Sequence, residues 1–306
     1  MKTKILDLQR FIAAIKKFHS SEPKTLDFYS SLLIEMNKKK LLDENFISQM
    51  SNHDKTIQRL SELLIFKYST QLIDTEIHSK KFGPDLTFEF NDRTVNIEIV
   101  TPLIVTQEKV SLRQYSFSLN DGPKAPTPTE AFKPKTESLH ERISSTLTSK
   151  CKVYDRYLQK KKVSTNDVNI ICINVGFIHG DDLIDFQYMR HIFEKQAGIH
   201  INIDEENNAS FSVLDLDFYV TKDTGVKFTT SYFDNMKHPH IDGVWIISCN
   251  ENSLDTIKNT YDLYKNVMYK NANSKIDNAM LSRLCINTPQ PDLFADHIRK
   301  HRSLPT

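Results

Sequence analysis

The stretch that decides the fold runs from Asp85 to Val100, DLTFEFNDRTVNIEIV. Apolar and polar residues alternate strictly along it, the period of two expected of strands with one buried face. If Asn91 and Asp92 form a two-residue turn, the hairpin register follows. Leu86, Phe88 and Phe90 then share an apolar face with Val95, Ile97 and Ile99, and Asp85 stands directly opposite Glu98. The other face carries Asp85, Thr87, Glu89, Asn96 and Glu98. Directly opposed side chains have Cβ atoms about 4.5–5.5 Å apart. Two carboxylates that close repel unless a cation or proton lies between them. Mg²⁺ takes one or two carboxylates and completes its shell with water and phosphate, so this arrangement suits it. The alternative is a plain amphipathic hairpin with a solvated acidic face. A one-residue slip in the turn would undo the pairing.

Working outward, helical spacing predicts helices over 5–18, 25–40 and about 55–68, the last with Ile57, Leu60, Leu64 and Tyr68 on one stripe. Residues 103–136, with Pro123, Pro126, Pro128 and Pro134, read as a long loop, either functional or disordered. A helix is expected over 137–161. Val168–Phe177 and Val244–Ser248 read as buried strands, 211–220 and 226–233 as weaker ones. Leu254–Val267 reads as a helix, and the tail to Thr306 as mixed. This order predicts the α/β class, with a central mixed β-sheet flanked by helices. The core would span 51–250, with a helical N-terminal extension over 1–50 and a C-terminal helical extension over 251–306.

The helix over 137–161 has its apolar stripe at Leu139, Ile143, Leu147, Tyr154 and Leu158, and Lys150 falls on that stripe. A buried ammonium is costly unless paired, so Lys150 requires an anion such as a hairpin carboxylate or a bound phosphate. Otherwise its stem packs and its amine snorkels to water. Arg142 is a weaker candidate for phosphate contact. Tyr154 and Tyr157 read as core or rim. Glu62 sits off the stripe of its helix, where an ordinary surface or capping glutamate also fits.

Composition narrows the function classes. The 306 residues carry 40 basic and 39 acidic side chains, a net charge of +1, which excludes a protein basic over its whole surface but not a local basic cleft. With 39% hydrophobic and 26% charged residues the balance is that of an ordinary globular chain, and 7 Gly with 11 Pro excludes collagen-like and Gly/Pro-rich classes. Four scattered cysteines without a CxxC pair read as reduced thiols. The opening MKTKILDLQRFIAAIKKF lacks a signal-peptide apolar run, and no stretch approaches the length of a membrane span. The expected location is cytoplasmic with no membrane partner, although export by a dedicated apparatus leaves no mark. His238, His240 and Asp242 lie close in sequence. They read as a loop before a strand, or as a weak metal set lacking a third His or Cys.

The residues Pro84-Asp85, then Glu98-Ile99 after the hairpin, resemble the PD-(D/E)XK nuclease superfamily, which includes restriction endonucleases and repair nucleases. That pattern continues with a lysine, where this chain has Val100. Some branches move the lysine to the following helix, and Lys150 would be that residue. The chain looks especially similar to an uncharacterised bacterial branch, through Ser61-Glu62, Gly83-Pro84-Asp85, Glu98-Ile99, Thr101-Pro102, Arg142, Leu147, Lys150, Tyr154 and Tyr157. The resemblance covers about 51–180 and continues more weakly through Val244–Ser248 and Asn271-Ala272. It implies a restriction-endonuclease-like αβββαβ core and metal-assisted phosphodiester hydrolysis. Asp85, Glu98 and Glu62 would hold Mg²⁺ or Mn²⁺, and Lys150 would stabilise the transition state. Arg142, Lys81 and Tyr154 would face the substrate.

The implied partner is nucleic acid, DNA first, and a homodimer fits the family. Basic candidates for phosphate contact are Lys80, Lys81, Arg113, Lys124, Lys133, Lys135 and Arg142. Two other readings stay open. One is a degenerate nuclease fold that binds nucleic acid or protein without cutting, favoured by Val100 and the balanced charge. The other is a bacterial effector that binds a protein partner through residues 103–136.

Overall fold

Asn91 and Asp92 both take positive φ, 48° and 59°, the backbone of a type I′ two-residue turn. The turn closes β1 (Leu86–Phe90) on β2 (Arg93–Val100) in the expected register, from Phe90↔Arg93 to Leu86↔Ile97. The structure, a computed structural model, describes residues 7–79, 83–103, 107–114, 117–118, 122–123, 127–134, 136–178, 189–193, 196–203, 209–216, 219–221, 225, 227–229, 232–233, 238–253 and 266–288.

Three helices precede the hairpin: α1 (Leu8–Phe18), α2 (Pro23–Lys38) and α3 (His53–Leu72). Asn52 caps α3 by accepting the Lys55 amide proton, and Asp7 caps α1 through Arg10. After β2, the segment read as a loop instead pairs β3 (Gln107–Gln114) with β6 (Thr127–Pro134), with the short pair β4 (Phe117–Ser118) and β5 (Gly122–Pro123) between them. Proline lacks the ladder donor, so a two-stranded ribbon, which is all edge, is where Pro128 and Pro134 are tolerated.

Next come α4 (Thr136–Gln159) and β7 (Val168–Asn174), close to their predicted spans. The short α5 (Arg190–Phe193) is followed by ribbons β8 (Gln196–Ile203) with β9 (Ala209–Leu216), and β10 (Tyr219–Thr221) with β11 (Lys227–Thr229). These weaker predicted strands lie outside the main sheet. The chain then adds β12 (Gly243–Ile247), β13 (Asn266–Lys270) and α6 (Asn278–Arg283). Of the helix expected over Leu254–Val267, residues 254–265 lie outside the described residues, and Val267 belongs to a strand.

The main sheet is mixed, in the order β1-β2-β7-β12-β13. The central strands β2, β7 and β12 run parallel, with antiparallel strands at both edges. This is an α/β architecture. Alternation along the strands feeds two cores. Val95, Ile97, Ile99, Ile170, Cys172 and Trp245 pack with α1, α2 and α3, joined by Met280, Leu281 and Leu284. Ile171, Ile173, Val244 and Ile246 pack on the other face with Leu139, Ile143, Leu147 and Tyr154 of α4. Both faces of β7 are apolar, as its continuous hydrophobic run requires.

Strand β2 differs from β7, because its α4 face is polar yet covered. Thr87, Asn96 and Glu98 are all buried, so apart from the exposed Glu89 near the turn the acidic face of the hairpin is covered and not solvated as a plain amphipathic hairpin would have it. A ladder of side-chain bonds crosses it, from Thr87 Oγ1 to Asn96 Oδ1 at 3.1 Å and from Asn96 Nδ2 to Asn169 Oδ1 at 3.1 Å. Tyr154 seats α4 on this face by donating to the carbonyls of Asn96 and Ile170 at 3.0 and 2.8 Å. Replacing Tyr154 with Phe leaves both buried carbonyls without that donor. It should cost about 1–3 kcal/mol in urea unfolding with little change in the slope; an unchanged midpoint would remove the hydroxyl from this role.

Candidate functional site

The candidate site lies at the carboxyl end of β2, where α3 and α4 approach from opposite faces of the sheet. Glu98 is 5% exposed on the α4 face. Lys150 crosses from α4 and donates from Nζ to Glu98 Oε1 at 2.7 Å. Of the two sequence expectations for this lysine, an anionic partner is the one realised. Tyr157, two helical turns beyond, donates to Glu98 Oε2 at 3.4 Å.

Asp85 sits one residue ahead of the ladder, which begins at Leu86↔Ile97. It therefore does not form a strand pair with Glu98. Its Oδ2 instead accepts the Ile99 amide proton at 2.7 Å, which holds the carboxylate against the end of β2 beside Glu98.

Glu62 comes from α3 and is buried. Arg59, one turn earlier, donates to its Oε2 at 2.5 Å, and Gln58 donates to its Oε1 at 2.9 Å. Gln58 also bonds the Ile99 carbonyl at 3.1 Å and accepts from the Thr101 amide at 2.9 Å, so α3 is tied to the backbone just past the site. Ser61 accepts from Asn174 Nδ2 at 2.8 Å, fixing the same turn of α3 to the end of β7. Sequence reading missed Arg59 and Gln58. Their positions three and four residues before Glu62 are the signal, since those spacings share a helix face.

Electrostatics bind the three acids into one unit. Burial, then Asp85, pushes Glu62 up to about 7. Burial, then Asp85, pushes Glu98 up to about 8 against the pull of Lys150. Burial also raises Asp85, opposed by Lys150, the Ile99 amide and Arg59. Burial works against the charge on Lys150, but Glu98 and Asp85 outweigh it and hold its pKa above the ordinary lysine value. Three carboxylates, Glu62 and Glu98 buried and Asp85 half-buried, face two cations, Arg59 and Lys150. The surplus negative charge favours a proton or a metal cation.

A cavity of about 280 Å³ opens beside Glu62 and Asp85, walled by Arg59, Gly83 and the 41–49 segment with Asp43 and Phe46. The chain between α2 and α3 thus forms part of the entrance. Arg59 also reaches Asp43 at 3.2 Å and the side chain of Gln49, linking that segment to Glu62.

The remaining predicted residues are distributed unevenly. Arg142 is exposed on α4. Tyr154 is fully buried with its hydroxyl engaged by the two strand carbonyls. Lys80, Lys81, Lys124 and Lys135 lie outside the described residues, and Arg113 and Lys133 lie on the β3–β6 ribbon. Val100 ends β2 partly buried and packs on the α4-side core.

A second group of ligating side chains exists. Among the described residues, Asp155, His238 and His240 bring ligand atoms within 4.8 Å of one another and could hold a metal ion. Asp242, the acid nearest to the histidines in sequence, turns inward to accept from the Asn169 amide at 2.9 Å and the Lys275 amide at 2.8 Å. Asp155 of α4 takes its place, a contact that sequence distance concealed. All four cysteines are free. Among the described residues no helix is long and apolar enough to cross a membrane.

Compared with family models, curated proteins and solved structures, the chain matches none.

Glu62 and Glu98 both sit above their ordinary range, so folding favours their protonated forms. Their contribution to stability is complete below about pH 4.5 and is lost as pH rises through about 7 and about 8. Thermal melts in EDTA should therefore fall between about pH 5 and pH 9, and Glu98→Gln should flatten the upper part of that fall. A Glu98→Gln profile that tracks wild type would separate Glu98 from the effect.

Proposed function

We propose that this protein is a divalent-metal-dependent nuclease that hydrolyses phosphodiester bonds, with DNA as its first substrate class. One observation carries the reading: Lys150 reaches Glu98 from the following helix, beside Asp85 and Glu62, so that four separate elements converge on one buried acidic centre. This is the constellation that the PD-(D/E)XK resemblance implies for a branch with a migrated lysine, and Val100 explains why the lysine must come from α4. A restriction-endonuclease-like core around the mixed sheet belongs to the same proposal.

The donor set fits a hard cation. Asp85, Glu98 and Glu62 offer only oxygen, the ligand Mg²⁺ and Mn²⁺ prefer, and their surplus charge favours a cation over a second proton. When bound, the ion polarises the phosphoryl group and eases deprotonation of water. The chain supplies the rest. Lys150, kept charged by Glu98 and Asp85, stabilises negative charge developing on the phosphate and does not act as base. Arg59 orients Glu62 and offsets its charge. The Ile99 amide fixes the Asp85 carboxylate. Nucleic acid would need basic residues nearby; Arg59 lines the 280 Å³ cavity, and Arg113 and Lys133 are positions of the β3–β6 ribbon.

One observation favours a second reading. Both glutamates already carry ion pairs within the chain, Glu62 with Arg59 and Glu98 with Lys150. A centre whose glutamates are already paired in this way also suits a nuclease fold that binds nucleic acid or a protein without cutting.

The deciding experiment is cleavage of plasmid DNA, single-stranded DNA and RNA with Mg²⁺ or Mn²⁺. Wild type should cut. Asp85→Ala, Glu98→Ala and Lys150→Ala should each lose on the order of 10²–10³-fold in rate, and Glu62→Gln less. Cutting that survives Lys150→Ala leaves the acids in place and removes the lysine. A folded wild type that cuts nothing with either metal overturns the nuclease and leaves the binding module.

A further inference from the structure

We infer that Asp155, His238 and His240 form a zinc site that ties α4 to the turn ahead of β12, separate from the carboxylate centre. The three ligand atoms lie within 4.8 Å of one another. His240 Nε2 and Asp155 Oδ1 are 3.2 Å apart, yet they are not aligned as a hydrogen bond. That is the arrangement of two ligands aimed at a shared point and not at each other. The His238 and His240 rings stand nearly perpendicular, at 85°, with centroids 6.0 Å apart, an edge-to-face contact that keeps the two imidazoles side by side without stacking.

The ligands are held before any ion arrives. Asp155 follows Tyr154, whose hydroxyl anchors α4 to β2 and β7. The His238 carbonyl accepts from the Ile241 amide at 3.0 Å, closing the turn around Pro239. The His240 carbonyl accepts from Asn169 Nδ2 at 3.1 Å, fixing that turn to the start of β7. Asp155 and His240 are thus both supported from β7 and His238 by its turn, and a site held in this way loses little freedom on binding.

Ligand chemistry selects the metal. Two imidazoles and one carboxylate suit zinc and its neighbours in the transition series, whereas Mg²⁺ requires oxygen. Three protein ligands leave a fourth tetrahedral position. The Asp155 side chain is 42% exposed, so that position faces solvent and takes water. Asp155 lies five residues after Lys150, about 7.5 Å along the helix axis. Zinc here would therefore clamp the helix that delivers Lys150 to Glu98. The site does not depend on the nuclease reading, because its ligands and its test involve neither the three acids nor cleavage.

The test is titration of the full chain with Zn²⁺ by calorimetry in chelator-free buffer, with Co²⁺ as a spectroscopic stand-in. Wild type should bind about one ion per chain, give the strong visible bands of tetrahedral Co²⁺, and melt higher with zinc present. Asp155→Asn, at a half-exposed position that folding tolerates, should weaken binding on the order of 100-fold and abolish the zinc-dependent rise in melting temperature. His240→Ala should do the same. Mg²⁺ in excess should not compete. No zinc binding by a folded wild type would overturn the site. So would binding that persists unchanged in both variants, which would place the ion elsewhere, such as on the exposed thiol of Cys285.

Discussion

Glu98 stands on a strand that is covered on both faces, so its carboxyl must be paired or protonated inside the protein. Removing one partner of such a pair leaves an uncompensated buried charge, at about 3–5 kcal/mol. Lys150 is the partner, and it can serve only if α4 lies across β2 at one height and one rotation. The ion pair thus constrains the crossing from β2 through α4 to β7. Tyr154, one turn beyond Lys150, repeats the constraint through two hydrogen bonds to strand carbonyls. The same helix face carries Leu139, Ile143 and Leu147, whose burial supplies the unspecific part of the docking energy.

Around that pair, each acid has its own support from a different element. Asp85 is held by a backbone amide of β2, and Glu62 by a guanidinium and an amide of its own helix. Gln58 bridges α3 to the backbone on both sides of Val100. The site is accordingly stiff where it faces the sheet and open where it faces the cavity beside the 41–49 segment. The polar ladder extends further. Asn96, two residues before Glu98 on β2, bonds Asn169, and Asn169 reaches the His240 carbonyl, so the ladder ends at the histidine turn.

Much of this was legible along the chain. The hairpin was, because its register depends on two local facts, a period of two and a pair of residues able to adopt positive φ. Lys150 was legible as an anomaly, a cation on an apolar stripe, although its partner was not fixed by the stripe. The ribbon of β3 and β6 was not legible, because Pro128 and Pro134 read as breaks when the pairing strand leaves them on an edge. Val267 was misassigned for a related reason. Its neighbours read as helical locally, but pairing with Ile246 in the edge strand β13 outweighs local propensity.

The residue pattern was enough for the α/β class, the hairpin with its one apolar face and the buried strands β7 and β12, and it marked Lys150 as out of place on an apolar stripe. These follow from periodicity and turn chemistry, which act over a few residues. Tertiary structure alone decided that the polar face of β2 is covered, that Gln58 ties α3 to the backbone beside Val100, and that Asp155 and not Asp242 joins the two histidines. Those outcomes depend on contacts between residues 41 to 85 positions apart. At such separations spacing carries no signal, and only packing of α3 and α4 on opposite faces of one sheet selects the partners.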